Sequence, residues 1–233
     1  MKNTLINRRI IERVAIALDE LNDDVVYVGG ATVSLYVNDP AAKDVRATKD
    51  IDISVEIASI FQLEELRENL TSKGFIQTAD LKVICRFKLE EILLDVMGTK
   101  PIGWAPANPW FELGFEKREL IELDNLSVHI MPLPYFLASK FVAHNDRGGN
   151  DPRISHDFED IVYILDNRTD WHDIIISSEN KVKAYLMTQF QNILESNKMQ
   201  EAILGNLDYG TQEVRYKKII SKIEKLFNKN NGK

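Results

Sequence analysis

The apolar pattern changes period near residue 131, and this limits the fold more than any other feature. Before that point, stretches with the two-residue period of β-strands are interleaved with helical ones; after Pro132 every apolar pattern has helical spacing. Ile10, Val14, Ala17, Leu18 and Leu21 predict an amphipathic helix over 5–22, and Val25–Val28 a short buried strand ending at Gly29-Gly30. A short helix is expected over 31–37. Residues 50–57 alternate strictly, with Ile51, Ile53, Val55 and Ile57 on one side and Asp50, Asp52, Ser54 and Glu56 on the other. A helix over 59–73 comes next, then strands over 83–89 and 92–97 joined at Glu90-Glu91. An irregular Gly-, Pro- and Trp-rich stretch over 98–114 precedes a hairpin within 119–130 that turns at Asp124-Asn125. Helices are expected near 133–146, 156–166, 178–195, 197–205 and 212–228, with a Gly-Gly-Asn-Asp-Pro loop at 148–152. The pattern predicts an α+β protein: a mixed sheet flanked by helices in residues 1–131, then a helical domain in residues 132–233.

Composition narrows the possible functions. An apolar fraction of 44% supports a real core and excludes wholesale disorder. The single cysteine, Cys85, cannot form an internal disulfide and alternates with core residues, and no Cys/His cluster has zinc spacing. No apolar run reaches the ~20 residues needed to cross a bilayer. The stretch from Met1 to Arg9 lacks a signal-peptide core, so a soluble, cytoplasmic protein without a membrane partner is expected. Twenty-nine basic and 36 acidic residues give a formal charge of −7, which excludes a basic nucleic-acid coat. Thr211 to Lys233 holds seven basic and two acidic residues, a charge of +5, so the rest of the chain carries −12.

Three local features carry possible chemistry. Gly29-Gly30 lies at a strand end before a helix, which suits either a plain turn or an anion cradle of backbone N–H groups. Asp50 and Asp52 share one face of a strand with Cα atoms about 7 Å apart. Like charges so placed repel each other, so the face either binds divalent cations or is simply solvated. Asp95, set among Ile92, Leu93, Leu94, Val96 and Met97, is costly to bury unless it is paired or bound to metal. The bland alternative is a strand-end acid beside a solvent channel.

The order strand, Gly-Gly, helix, strand, Asp-x-Asp, hairpin, Asp resembles the nucleotidyltransferase superfamily that includes DNA polymerase β. The match is closest to the AbiEii-like nucleotidyltransferases, toxins of two-gene bacterial toxin–antitoxin systems. Tyr27 to Val55, with Arg46 and Thr48, is similar to their first motif; Lys140, Ala143, Arg147, Asp157 and Asp160 are similar to their later lysine-rich helix and Asp-x-x-Asp. The resemblance spans about residues 10–166. It departs at Ala31, where Ser or Thr is usual, in the twenty residues from Gly30 to Asp50, and at Ser155-His156.

The resemblance implies a polymerase-β-type fold whose site lies in the cleft between the two parts. Asp50, Asp52 and Asp95 would bind two Mg²⁺ ions, Asp95 also helping to deprotonate an acceptor hydroxyl. Gly29, Gly30 and Thr32 would cradle the triphosphate of an NTP substrate and Lys140 would neutralise it. Asp157 and Asp160 would orient Lys140 or Arg147 or act on the acceptor, or else form a solvated acidic face. The implied reaction moves a nucleoside monophosphate to an acceptor with release of pyrophosphate. The acceptor implied is RNA, foremost the 3′ end of tRNA, with an antitoxin as partner; a protein hydroxyl or an antibiotic-like small molecule are the alternatives. A catalytically silent module that docks a partner protein is the non-enzymatic alternative. Trp104, Trp110 and Phe111 stack bases or fill a small core, and the lysines of the last helix meet RNA or solvent.

Overall fold

The computed structural model describes residues 2–57, 59–78, 85–102, 107–124, 126–147 and 151–228. The chain divides into two compact units, Met1–Ser34 with Lys43–Pro132, and Leu35–Ala42 with Leu133–Lys233. The class is α+β, with a mixed sheet in the first unit and helices in the second.

In the first unit α1 (Lys2–Leu18) buries Ile11, Val14, Ala15 and Leu18. It ends four residues before the predicted stop, because Asp19–Asp24 tightens into a 3₁₀ turn. Acidic side chains oppose the negative end of a helix dipole, and this segment holds four of them. Next come β1 (Val25–Val28), β2 (Asp50–Val55), α2 (Ile60–Ser72), β3 (Ile76–Gln77), β4 (Arg86–Leu89) and β5 (Ile92–Gly98). The unit closes with α3 (Phe111–Glu116), β6 (Glu119–Leu123) and β7 (Leu126–Ile130).

These strands form a seven-stranded sheet in the order β3-β4-β5-β2-β1-β7-β6. The pairs β2/β5 and β1/β7 are parallel and the others antiparallel. Ser59 caps α2 through the Gln62 N–H. Gly74, at φ +89, closes that helix by a turn in which Gly74 N–H meets the Thr71 carbonyl and Phe75 N–H the Leu70 carbonyl. The stretch 98–114, expected to be irregular, contains the start of α3, whose Phe111 and Phe115 are buried with Trp110.

The second unit contains α4 (Leu133–Arg147), α5 (His156–Asn167), α6 (Trp171–Ser177), α7 (Asn180–Glu195), α8 (Asn197–Asn206) and α9 (Gln212–Asn228). Ser155 and Ser196 cap α5 and α8. Trp171 and Phe141 flank Phe190 at centroid distances of 5.6 and 5.9 Å. Leu35–Ala42 joins this unit: Tyr36 stacks on Phe136 at 4.2 Å, and the Asn38 and Asp39 N–H groups donate to the Asn167 carbonyl. Among the described residues, no helix is long and apolar enough to cross a membrane.

Candidate active site

Strand register assembles the acids. On the central strand β2, Asp50 and Asp52 face the same way, with Ile51 and Ile53 buried behind them. In the β2/β5 ladder Asp52 is the direct partner of Asp95, and register partners on parallel strands share a face. Asp50 is paired with Leu93, one step along. Three carboxylates therefore lie on one face of two neighbouring strands. Asp95 is the most enclosed of them, at 8% exposure.

β1 completes the row from the other side, Val28 pairing with Asp52. The next residue, Gly29, has φ +76, and a Cβ placed on it would lie 1.8 Å from Asp52 Oδ2. A Cβ on Gly30 would lie 2.1 Å from the Arg46 guanidinium. The glycine pair thus makes room for this chain's own carboxylate and guanidinium. From Gly30 to Leu35 the chain forms a six-residue 3₁₀ helix rather than an α-helix, so little helix dipole is aimed at the site. Thr32 is fully buried and its hydroxyl donates to the Gly29 carbonyl at 2.9 Å.

Arg46 is delivered by a segment pinned to α1. The Asp44 carboxylate accepts from Asn3 N–H, Thr4 N–H and the Thr4 hydroxyl, covering the first turn of α1. Burial raises the pKa of Asp44, but these donors outweigh it and hold the group below the usual carboxylate range. The fully buried Asn7 donates from Nδ2 to the Arg46 carbonyl at 3.1 Å and accepts from Thr48 N–H at 3.3 Å. The Thr48 hydroxyl lies 3.3 Å from the Asp50 N–H. Backbone from 44 to 50 is thereby fixed from outside the sheet.

Arg86, which no sequence motif singles out, forms a fork on Asp95. Nε donates to Oδ1 at 2.6 Å and Nη2 to Oδ2 at 2.7 Å. Arg86 is also the antiparallel register partner of Asp95 across β4/β5. That pairing was readable: a two-residue turn at Glu90-Glu91 sets 89 opposite 92 and hence 86 opposite 95. The donor set of the acid row, all carboxylate oxygen, has the chemistry that Mg²⁺ takes. Among the described residues no three His, Cys, Asp or Glu side chains converge as a ready metal cage.

The second group of candidate residues assembles in the helical unit. Lys140 Nζ on α4 donates to Asp160 Oδ2 at 2.7 Å and Asp157 Oδ1 at 3.1 Å on α5. The Lys140, Asp157 and Asp160 side chains are only 7%, 13% and 3% exposed. Asp157 also accepts from the exposed Arg147 at 3.2 Å. Burial raises the Asp157 pKa, but Lys140 and Arg147 more than reverse this and hold it low. A solvated acidic face, one of the two expectations for these residues, is thus not found at Asp160. His144 Nδ1 lies 2.9 Å from Ser155 Oγ, and burial pushes its pKa down despite Asp157 nearby.

Trp110 and Phe111 are buried, in keeping with a small core, and Trp104 lies outside the described residues. His156 is exposed at the start of α5 beside Glu159. Cys85 is buried.

No protein-family model and no curated protein matches the chain. Solved structures do. An antigenic nucleotidyltransferase-like protein from Paracoccidioides brasiliensis is similar over 87% of this chain and 95% of its own, with a TM-score of 0.51 and 17% identity. The antibiotic-resistance factor ANT(2'')-Ia is similar over 82% of this chain and 96% of its own, with a TM-score of 0.49 and 14% identity. JHP933 from Helicobacter pylori is similar over 99% and 97%, with a TM-score of 0.46 and 14% identity. At 17% identity the first likeness speaks for architecture alone: the mixed sheet, its flanking helices and the C-terminal helices make the α+β fold of a nucleotidyltransferase-like protein.

Proposed function

We propose that this protein is a nucleotidyltransferase that moves a nucleoside monophosphate from an NTP to an acceptor hydroxyl and releases pyrophosphate. The observation that carries the reading is the register pairing of Asp52 with Asp95, with Asp50 on the same face and the side-chain-free Gly29 against Asp52. Held by Asp50, Asp52 and Asp95, two Mg²⁺ ions would stabilise the charge of an in-line displacement at the α-phosphorus. Asp95 would accept the proton of the attacking hydroxyl. Gly29 and Gly30 would offer backbone N–H groups to the triphosphate, and Arg46, whose guanidinium fills the space beside Gly30, would meet its charge. Thr32, enclosed in the turn, would hold the glycine backbone rather than touch phosphate. Lys140, held by Asp157 and Asp160, would add its positive charge toward the phosphates.

The acceptor in this reading is RNA, foremost the 3′ end of tRNA. The sequence resemblance to AbiEii-like toxins supports it, and so do the exposed Lys217, Lys218 and Lys225 of α9. The protein would then act in the cytoplasm as the toxin of a two-gene pair, restrained by an antitoxin. The test is incubation with Mg²⁺, each α-³²P-labelled NTP and a whole-cell lysate, with RNase or protease added before electrophoresis. Label removed by RNase is the expected result. Label removed by protease would replace RNA with a protein acceptor, and label on small molecules would place the enzyme with antibiotic-modifying activities. No labelled product would favour a silent docking module and overturn the proposal.

A further inference from the structure

The acid row contains its own cation. Asp95 meets Arg86 through both carboxylate oxygens, at 2.6 and 2.7 Å, and the two side chains are only 12% and 22% exposed. Backbone register holds them opposite each other, so the fork belongs to the sheet and not to a chance surface rotamer. A guanidinium does not lose its proton in proteins, and a carboxylate offers about four lone-pair sites. The fork engages both Asp95 oxygens and fixes the plane of the group while leaving acceptor capacity on it. Asp52, in register on the other side, adds a further negative charge to the same row.

We propose that Arg86 is a resident counter-cation of the site: it holds Asp95 in place when no divalent ion is bound and competes with that ion for the carboxylate. This rests on the reading of the row as a metal-dependent transfer site. The consequence is weak loading of a divalent ion alone, so that occupancy is set by what else enters. Arg86 is therefore a positioning residue acting through Asp95. Removing one unit charge beside a divalent cation changes its affinity by about tenfold, even at a dielectric close to that of water.

The test is titration of the nucleotide-free protein with Mn²⁺, free ion being tracked by electron paramagnetic resonance. Wild type, Arg86→Gln, Arg86→Lys and Asp52→Asn are compared. Arg86→Gln should bind Mn²⁺ about tenfold more tightly than wild type, and its melting temperature should fall without metal and recover with it. Arg86→Lys keeps the charge and gives up the fork, so its Mn²⁺ affinity should stay close to wild type. It also serves if Arg86→Gln does not fold. Equal or weaker binding by Arg86→Gln, with binding lost in Asp52→Asn, would overturn the counter-cation role and leave the transfer site standing. Tighter binding by Arg86→Lys would also overturn it. Absence of Mn²⁺ binding in wild type and all variants would remove the metal-dependent reading itself, and the inference with it.

Discussion

Gly29 answers two separate demands at once. Its φ of +76 lies in the left-handed region, and its missing side chain is the space that Asp52 Oδ2 occupies. Gly29→Ala should therefore displace the Asp52 carboxylate. The transfer rate should fall by about a hundredfold or more, since a shift near 1 Å in a reacting group can cost that much. Circular dichroism should show the fold intact. A near-normal rate would mean that Asp52 is not at the reacting centre. Lys140→Met tests the other cluster. It leaves Asp157 and Asp160 enclosed without their ammonium, and breaking a buried pair this way costs about 3–5 kcal/mol, measurable by urea unfolding. Asp157 titrates below its ordinary value in the fold, so its contribution is present above the unfolded pKa and lost as pH falls through the folded one. The gap between wild type and Lys140→Met should thus hold at neutral pH and narrow below about pH 4. The acid row was legible as a pattern, since Asp95 interrupts an apolar run and the two-residue period sets Asp50 and Asp52 on one face. Asp157 and Asp160, which meet Lys140, were legible only as a spacing on α5, since their burial depends on how α4 and α5 pack.

Elements decide what a site residue can reach. The backbone that presents Arg46 and Asp50 is held by Asn7 of α1, 39 residues from Arg46. Asn7→Leu removes one donor and one acceptor and leaves the Arg46 carbonyl and Thr48 N–H to find other partners. It should cost about 1–3 kcal/mol of stability and lower turnover more than a stability loss of that size would alone. Turnover unchanged at full folding would show that the 44–50 segment needs no anchor. Nothing in a sequence pattern announces such a long-range pin, because one asparagine in a helix has many uses. Short elements were hidden for a different reason. β3 has two residues, α3 has six and contains the poor helix former Gly114, and the consecutive Ile174, Ile175 and Ile176 of α6 offer no helical period. The longer helices α4, α5, α7, α8 and α9 repeat often enough for the period to show. The turn of the β4–β5 hairpin was legible at Glu90-Glu91, and its register implies the Arg86–Asp95 pairing. β5 runs one residue past the expected end, and residues 83–84 lie outside the described residues.

At the scale of the whole chain, charge is divided unevenly, with +5 between Thr211 and Lys233 and −12 elsewhere. α9 buries Ile219, Ile223 and Leu226 and leaves Lys217, Lys218 and Lys225 exposed. If RNA is the acceptor, labelling should fall about tenfold or more between 50 and 200 mM salt, and replacing those three lysines by glutamine should flatten that dependence. A salt-indifferent rate would speak for a small acceptor. The change of period near residue 131 was readable from the sequence, whereas the place of Leu35–Ala42 in the helical unit was not. That segment is joined to Asn167 and to Arg168, whose Nη1 donates to the Tyr36 carbonyl 132 residues away.

On the proposed function, the Asp50, Asp52 and Asp95 row transfers a nucleotidyl group. The most direct measurement compares α-³²P- and γ-³²P-labelled NTP in parallel reactions, with Asp52→Asn beside wild type. The α label should move to the acceptor and the γ label should appear in pyrophosphate, and both should be lost in Asp52→Asn. Transfer of the γ label to the acceptor, or an Asp52→Asn enzyme as active as wild type, would contradict the proposed function.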